Sequence, residues 1–455
     1  MKNDQIHSDC QESVLYLNNI DRFFKRFNIK TILNRSQIRK EKGIHPSILL
    51  AYIMALPFVG KNFFQGIVQK SDLPFAKDAA YDLIKSEKHN WRRFILSLSV
   101  KIIELFDTLT RKEREKVMII DDSPTERPRS KVVELLARVF DHCEQKYLRG
   151  FRFLNLSWSD GASFIPIDFA LLSSTEASKR FQGITKELDK RTCGYKRRQE
   201  ALSKATLLIE PMVARALKLG IKAQYLLMDS WFSWPVIISK LRQHIHVICM
   251  LKDMPNILYT FGGKRLTLSG IYRRIKKRPG KAKILGSAIV TMNDGLSAKI
   301  VFVRNRNTRG WLAILSTNTD LPDEEIVRIY GKRWDIEVFF KMAKQFLGLE
   351  KGIQARDFDS LIAHASIVIL RYQFLALEQR RQEDPRTFGE LFRACCQEMQ
   401  DLSFLEALSR ILTDTIDRLR QAGEYAEEIY KAVISTVYAA AIDFLGLKEE
   451  LCQRS

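Results

Sequence analysis

Apolar residues recur at helical spacing through the first hundred positions. Phe23, Phe24 and Phe27 form one set, the run from Leu49 to Val59 a second, and WRRFILSLSVKIIELF at 91–106 a third, so residues 12–106 read as helices. From residue 117 the pattern changes. VMIID (117–121), FRFLNLSW (151–158) and SFIPIDFALLS (163–173) are short β-branched or aromatic runs between turns, and they predict strands. A helical stretch near 198–219 precedes two more expected strands, QYLLMD (224–229) and HVICML (246–251). Residues 253–318 read as further β structure, with Gly262-Gly263 and Asn293-Asp294-Gly295 as turns. One long amphipathic helix is expected from about Asp323 to Leu347, and residues 358–446 are again helical in pattern. Strands interleaved with helices predict an α/β core with a mixed sheet. Three regions follow: helical 1–110, mixed 111–354 and helical 355–455.

Charge sharpens that division. The 455 residues carry 74 Lys and Arg against 53 Asp and Glu, a net charge of +21. Residues 1–110 hold a net +6 and residues 355–455 a net −5, so the middle region holds +20. Such an excess favours a polyanionic partner and places its contact in the middle of the chain. The clusters are Lys179, Arg180, Lys186, Lys190, Arg191, Lys196, Arg197 and Arg198 in one run, and Arg273, Arg274, Lys276, Lys277, Arg278, Lys281 and Lys283 in another. Both read as loops or strand ends able to grip phosphates.

Composition removes other classes. At 46% hydrophobic residues the chain is too apolar to be disordered. No apolar run reaches the roughly 18 residues of a membrane span, and the N-terminus lacks an apolar leader, so a cytoplasmic, membrane-free protein is expected. Seven cysteines without a CxxC pair fit neither a disulfide framework nor a zinc ribbon. His244 and His246 share one strand face, but two histidines do not close a metal site. No G-x4-G-K-[ST] phosphate loop occurs. The HxxR pair His89–Arg92 lies in the N-terminal helices, far from Tyr330, which argues against a covalent tyrosine recombinase.

The chemistry concentrates in YGKRWDIEVFFKMAK (330–344). On a continuous helix Tyr330, Arg333, Glu337, Lys341 and Lys344 fall within about 80° of arc. A solvated face stapled by i,i+4 pairs has the same pattern. The functional reading needs more acids, and two strand ends supply them: Asp121-Asp122-Ser123 and Asp229-Ser230-Trp231. Carboxylates at strand ends lie at the rim of an α/β sheet, where sites are commonly built. Neighbours on a strand face opposite sides, so only one of Asp121 and Asp122 should bind metal. Asp121, which directly follows the apolar run, is preferred. One acid from each strand and one from the helix suit two Mg²⁺ ions about 4 Å apart, a set-up for phosphoryl transfer.

Tyr330-x2-Arg333-x3-Glu337-x6-Lys344 resembles the YREK signature of bacterial DDE transposases of insertion-sequence family 4. That resemblance implies an RNase H-like core with a β-rich insertion at about 253–318, ahead of the last carboxylate. It implies Asp121 (or Asp122), Asp229 and Glu337 as catalytic metal ligands for two Mg²⁺ ions, with Mn²⁺ able to substitute. Tyr330, Arg333, Lys341 and Lys344 would contact phosphates near the scissile bond. Trp311 is similar in place to a tryptophan that stacks on a flipped base. The implied activity is cut-and-paste transposition: cleavage of double-stranded DNA at the element's ends, then joining of the 3′-hydroxyls to target DNA. A homodimer is implied in the synaptic complex, with 1–110 for end recognition and 355–455 for dimerisation. The alternatives are a catalytically inactive DNA-binding regulator and an RNase H-like nuclease without strand transfer.

Overall fold

The computed structural model describes residues 19–381 apart from 41, 71–72, 110–113, 142–143, 281 and 306–309; beyond 381 it describes 390, 392–397, 408, 411–412, 415 and 427–444. Of the 101 residues expected to dimerise (355–455), 45 lie outside the described residues.

Helices α1 (Asn19–Phe27), α2 (Ile29–Arg35), α3 (Pro46–Ala55), α4 (Lys77–Lys85) and α5 (Trp91–Leu109) come first. Strands β1 (Val117–Glu126), β2 (Ala137–Asp141), β3 (Lys146–Ser159) and β4 (Phe164–Leu172) follow, then helices α6 (Cys193–Ala201) and α7 (Ala205–Lys218). Next are β5 (Tyr225–Met228), α8 (Pro235–Arg242), β6 (His246–Leu251), β7 (Tyr259–Phe261), β8 (Lys264–Leu266), α9 (Leu268–Arg274), β9 (Ile284–Thr291), β10 (Ser297–Arg304) and β11 (Trp311–Ser316). Helices α10 (Asp323–Gly331), α11 (Asp335–Gln345), α12 (Phe358–Arg381) and α13 (Glu427–Phe444) complete the set.

All eleven strands join one mixed sheet in the order β2-β3-β1-β5-β6-β11-β10-β9-β7-β8, with β4 also on β3. Its centre runs β4-β3-β1-β5-β6. The β4–β3 and β3–β1 pairs are antiparallel and the β1–β5 and β5–β6 pairs parallel, consistent with an RNase H-like core. Strands buried on both faces read as unbroken apolar runs, which is why Val117 to Ile120 and Leu226 to Met228 are wholly buried. The β-rich segment extends this same sheet. β11 pairs antiparallel with β6, and β10 and β9 follow outward, so the edge of β6 is covered.

Leu268–Arg274, within the segment expected to be β structure, forms helix α9, and two larger features also depart from the sequence pattern. The helix expected from Asp323 to Leu347 is two helices, α10 and α11, separated by a 3₁₀ turn at Lys332–Trp334. Contacts on both sides pin this break. Lys332 donates to the Glu115 carbonyl at 2.7 Å, and the Ser159 hydroxyl donates to Asp335 at 3.1 Å. The tighter turn, with about three residues per turn, shifts the angular positions a continuous helix would give.

The second departure is α12. Phe358–Arg380 is long and apolar enough to cross a membrane, yet its apolar window is entirely buried in the protein's own core. It packs on α3, α4, α5, α11 and β4. A helix apolar on all sides is a core helix. Arg371 within it donates to the carbonyls of Ile53 and Met54, at the end of α3, and of Leu347, just past α11. Those carbonyls lie at or just past helix ends, where intrahelical donors run out. One buried guanidinium thereby ties the N-terminal helices to the segment that follows Glu337.

Candidate active site

Strand register sets the two aspartates. Ile120 pairs with Met228 across the parallel β1–β5 ladder, so the next residues, Asp121 and Asp229, stand at one level on one face. Adjacent strands lie about 4.8 Å apart, which brings two carboxyl groups together at the strand ends. The Asp121 carboxyl is pushed up to about 7, first by burial and further by Asp122 and Asp229, against the pull of Arg333.

Helix α11 carries the third acid over the same rim. Arg333 donates from Nη1 to Asp121 Oδ2 at 2.9 Å and from Nη2 to Glu337 Oε1 at 2.7 Å. A single guanidinium thus spans a strand-end carboxylate and a helix carboxylate. The Arg333 side chain is 11% exposed and that of Glu337 39%, so the solvent-facing side of the bridge is the glutamate. Tyr330 is buried, and its hydroxyl has no hydrogen-bond partner among the described residues. Burial raises its pKa, with Asp229 and Asp121 close enough to add to the effect.

The remaining motif residues lie further along α11. Lys341 is exposed, and the Lys344 ammonium stands 3.9 Å from Glu350. The structure therefore brings together Asp121, Asp229, Tyr330, Arg333 and Glu337, with Lys341 and Lys344 one and two turns past the glutamate.

Asp122 belongs to the other face of β1, where it forms a salt bridge with Arg152. Trp311 lies at the start of β11. The β5–β6 and β6–β11 registers put Ile314 level with Asp229, so Trp311 is three residues further out and two strands across, at the same rim. Its ring packs on Tyr272 and Phe302, with centroids 5.2 and 5.1 Å away.

Among the described residues no three acidic, histidine or cysteine side chains close around a common metal position. The guanidinium of Arg333 stands between Asp121 and Glu337. The donor chemistry itself, carboxylate oxygens alone, suits a hard divalent cation. His244 is paired with Glu210 and His246 faces Thr317, so neither adds to a ligand set.

The basic runs divide once folded. Arg198 is buried between Glu134 and Asp359, and Arg197 also pairs with Asp359. Arg278 pairs with Asp323 and Glu324 on α10. Lys186, Lys190 and Lys196 in the first run, and Arg273, Arg274, Lys276 and Lys277 in the second, remain exposed. Lys281 lies outside the described residues.

Sequence reasoning passed over the aromatic rim. Trp231 and Trp234, two and five residues past Asp229, are 47% and 44% exposed, and Trp334, next to Arg333, is 64% exposed. The guanidinium of Arg152 lies 5.8 Å from the Trp231 ring centre. Two tryptophans in DSWFSW (229–234) were a readable signal. Arg152 carried none, because its neighbours come from other strands and loops.

Two family models match this chain. Residues 56–252 match the DDE superfamily endonuclease model, and residues 201–372 match the transposase DDE domain model. No curated protein matches it. Both models describe DDE enzymes and their overlap carries Asp229, so the matches support a DDE transposase family for this chain, with nuclease activity and DNA as its partner.

Proposed function

We propose that this protein is a cut-and-paste transposase of the insertion-sequence family 4 type, bearing the YREK signature at Tyr330, Arg333, Glu337 and Lys344. The observation that carries the reading is the convergence of Asp121, Asp229 and Glu337, three carboxylates from two adjacent strand ends and one facing helix, around the single guanidinium of Arg333.

Asp121, Asp229 and Glu337 would hold two Mg²⁺ ions, or Mn²⁺ in their place. Bound there, divalent metal supplies activation of the attacking oxygen and stabilisation of the leaving oxygen in an in-line displacement. The protein's part is to hold the strand. Arg333 on the 3₁₀ turn and Lys341 and Lys344 on α11 are cations that suit the backbone phosphates flanking the scissile bond. The buried Tyr330 hydroxyl, without a hydrogen-bond partner among the described residues, would donate to a phosphate oxygen once the rim opens around it. Trp311 at the same rim is the candidate for stacking on an unpaired base.

In the first step water attacks the phosphorus, the bond to O3′ breaks, and the products are a 3′-hydroxyl and a 5′-phosphate. In the second that 3′-hydroxyl attacks a target phosphodiester, and a target 3′-oxygen leaves. Handling paired ends calls for two copies of the chain, with residues 355–455 as the dimerisation candidate and the N-terminal helices as the end readers.

The test is cleavage of short duplexes that carry the native element's ends, in Mg²⁺ or Mn²⁺. Wild-type protein should cut at the end and join the 3′-hydroxyl to a second duplex. Glu337→Gln and Asp229→Asn should bind the DNA and leave it whole. Cutting without joining would make the protein a nuclease of the same core, and binding without cutting by wild type would make it a regulator.

A further inference from the structure

We infer that Arg333 is a built-in cation that keeps the carboxylate site closed to metal until a DNA phosphate draws it away. The inference rests on the metal-site reading above and adds to it a coupling between metal and DNA.

Three observations carry it. First, the guanidinium makes one charge-assisted hydrogen bond to Asp121 and one to Glu337, at 2.9 and 2.7 Å, so it occupies the position between two of the three acids. A divalent cation taking those same oxygens would meet a second positive charge at contact distance in a largely buried setting, and one of the two must leave. Second, the Arg333 side chain is only 11% exposed, so its charge sits within the carboxylate rim and not in solvent. Third, Arg333 stands on the 3₁₀ turn between α10 and α11, with Lys332 and Asp335 anchored on either side. The flanks are fixed, so the long side chain can turn outward without moving either helix.

DNA provides the reason to turn. A guanidinium pairs with phosphate as well as with carboxylate, and both partners accept two parallel N–H bonds. Seating a phosphate at the rim moves the arginine from protein acid to DNA and exposes Asp121 and Glu337 together. The coupling is reciprocal: whatever factor DNA adds to metal affinity, metal adds to DNA affinity. A nuclease built this way holds little metal while free of DNA.

The experiment measures Mn²⁺ binding by electron paramagnetic resonance at pH 8, on full-length protein without DNA and with a 20-base-pair duplex of arbitrary sequence at low salt, corrected for Mn²⁺ on the duplex alone. Wild type should bind Mn²⁺ weakly. Arg333→Gln should bind it at least tenfold more tightly, and Asp229→Asn added to Arg333→Gln should return binding to weak. The duplex should tighten Mn²⁺ binding to wild type several-fold and leave Arg333→Gln unchanged. Thermal melts confirm folding, and if Arg333→Gln fails to fold, Arg333→Lys serves, with tighter binding than wild type expected from its shorter reach. If the Arg333 variants bind Mn²⁺ no more tightly than wild type, while Asp229→Asn weakens wild-type binding, the metal site stands and the inference falls. If Asp229→Asn and Glu337→Gln leave Mn²⁺ binding unchanged in both backgrounds, the metal site falls and this inference with it.

Discussion

Asp122 is bound by Arg152 on the face of β1 opposite the one where Asp121 meets Arg333. Adjacent residues of one strand thus have different work, and the two carboxylates can be told apart by substitution. Asp121→Asn is expected to lower end cleavage by a factor on the order of 10³, since a neutral amide oxygen holds a divalent cation far more weakly than a carboxylate and does not balance Arg333. Asp122→Asn should lower it less than about tenfold and act on stability instead, because it leaves the largely buried Arg152 without its charge partner. Single-turnover cleavage and thermal melts on both variants decide it; equal losses would mean that both acids serve the reaction.

Arg198 is the buried cation of the first basic run, 1% exposed and paired with Glu134 and Asp359. Arg198→Ala leaves the buried Glu134 without a cation and Asp359 with Arg197 alone, and is expected to destabilise the fold by about 3–5 kcal/mol. Charge reversal at the exposed Lys186 and Lys190 should leave stability within about 0.5 kcal/mol while reducing the salt dependence of DNA binding. Urea denaturation and binding at two salt concentrations separate the two roles.

His364 on α12 bonds through Nε2 to the Gly348 carbonyl at 2.8 Å. Burial first, then Arg371 and Arg127, push its pKa down to about 3. The unfolded chain takes up this proton near pH 6.5 and the folded one does not, so the contribution is intact above 6.5 and is lost as pH falls towards 3. The slope is at most about 1.4 kcal/mol per pH unit. Urea midpoints at pH 7 and pH 4.5 should converge more in His364→Gln than in wild type.

Trp311 packs its ring on Tyr272 and Phe302. Trp311→Ala is expected to cost about 2–4 kcal/mol by opening that cluster. Trp311→Leu should recover most of the stability. If the ring also stacks on an unpaired base, Trp311→Leu will still cleave the ends slowly while binding them normally.

Much of the site was legible because its signals are local. The apolar run ahead of Asp121, the run ahead of Asp229 and the spacing of Arg333 to Glu337 each lie within one element, and side-chain periodicity there follows from strand and helix geometry. The interrupted helix was not legible. Its break is held by Glu115 and Ser159, both more than 170 residues away in the chain.

The chain by itself determined the strands that lead into Asp121 and Asp229, that both end in acids, and that the positive charge gathers in the middle. Hydrophobic pattern and composition are properties of neighbours in sequence. Only the tertiary structure decided that Asp121 rather than Asp122 faces Arg333, that Arg197 and Arg198 are spent inside the protein, and that the long apolar helix α12 is a core element. Those outcomes depend on partners 212 residues apart for Arg333 and Asp121 and 161 apart for Arg198 and Asp359. Side chains that far apart meet only after the sheet has set its register, since a shift of one residue turns each strand's side chains to the opposite face.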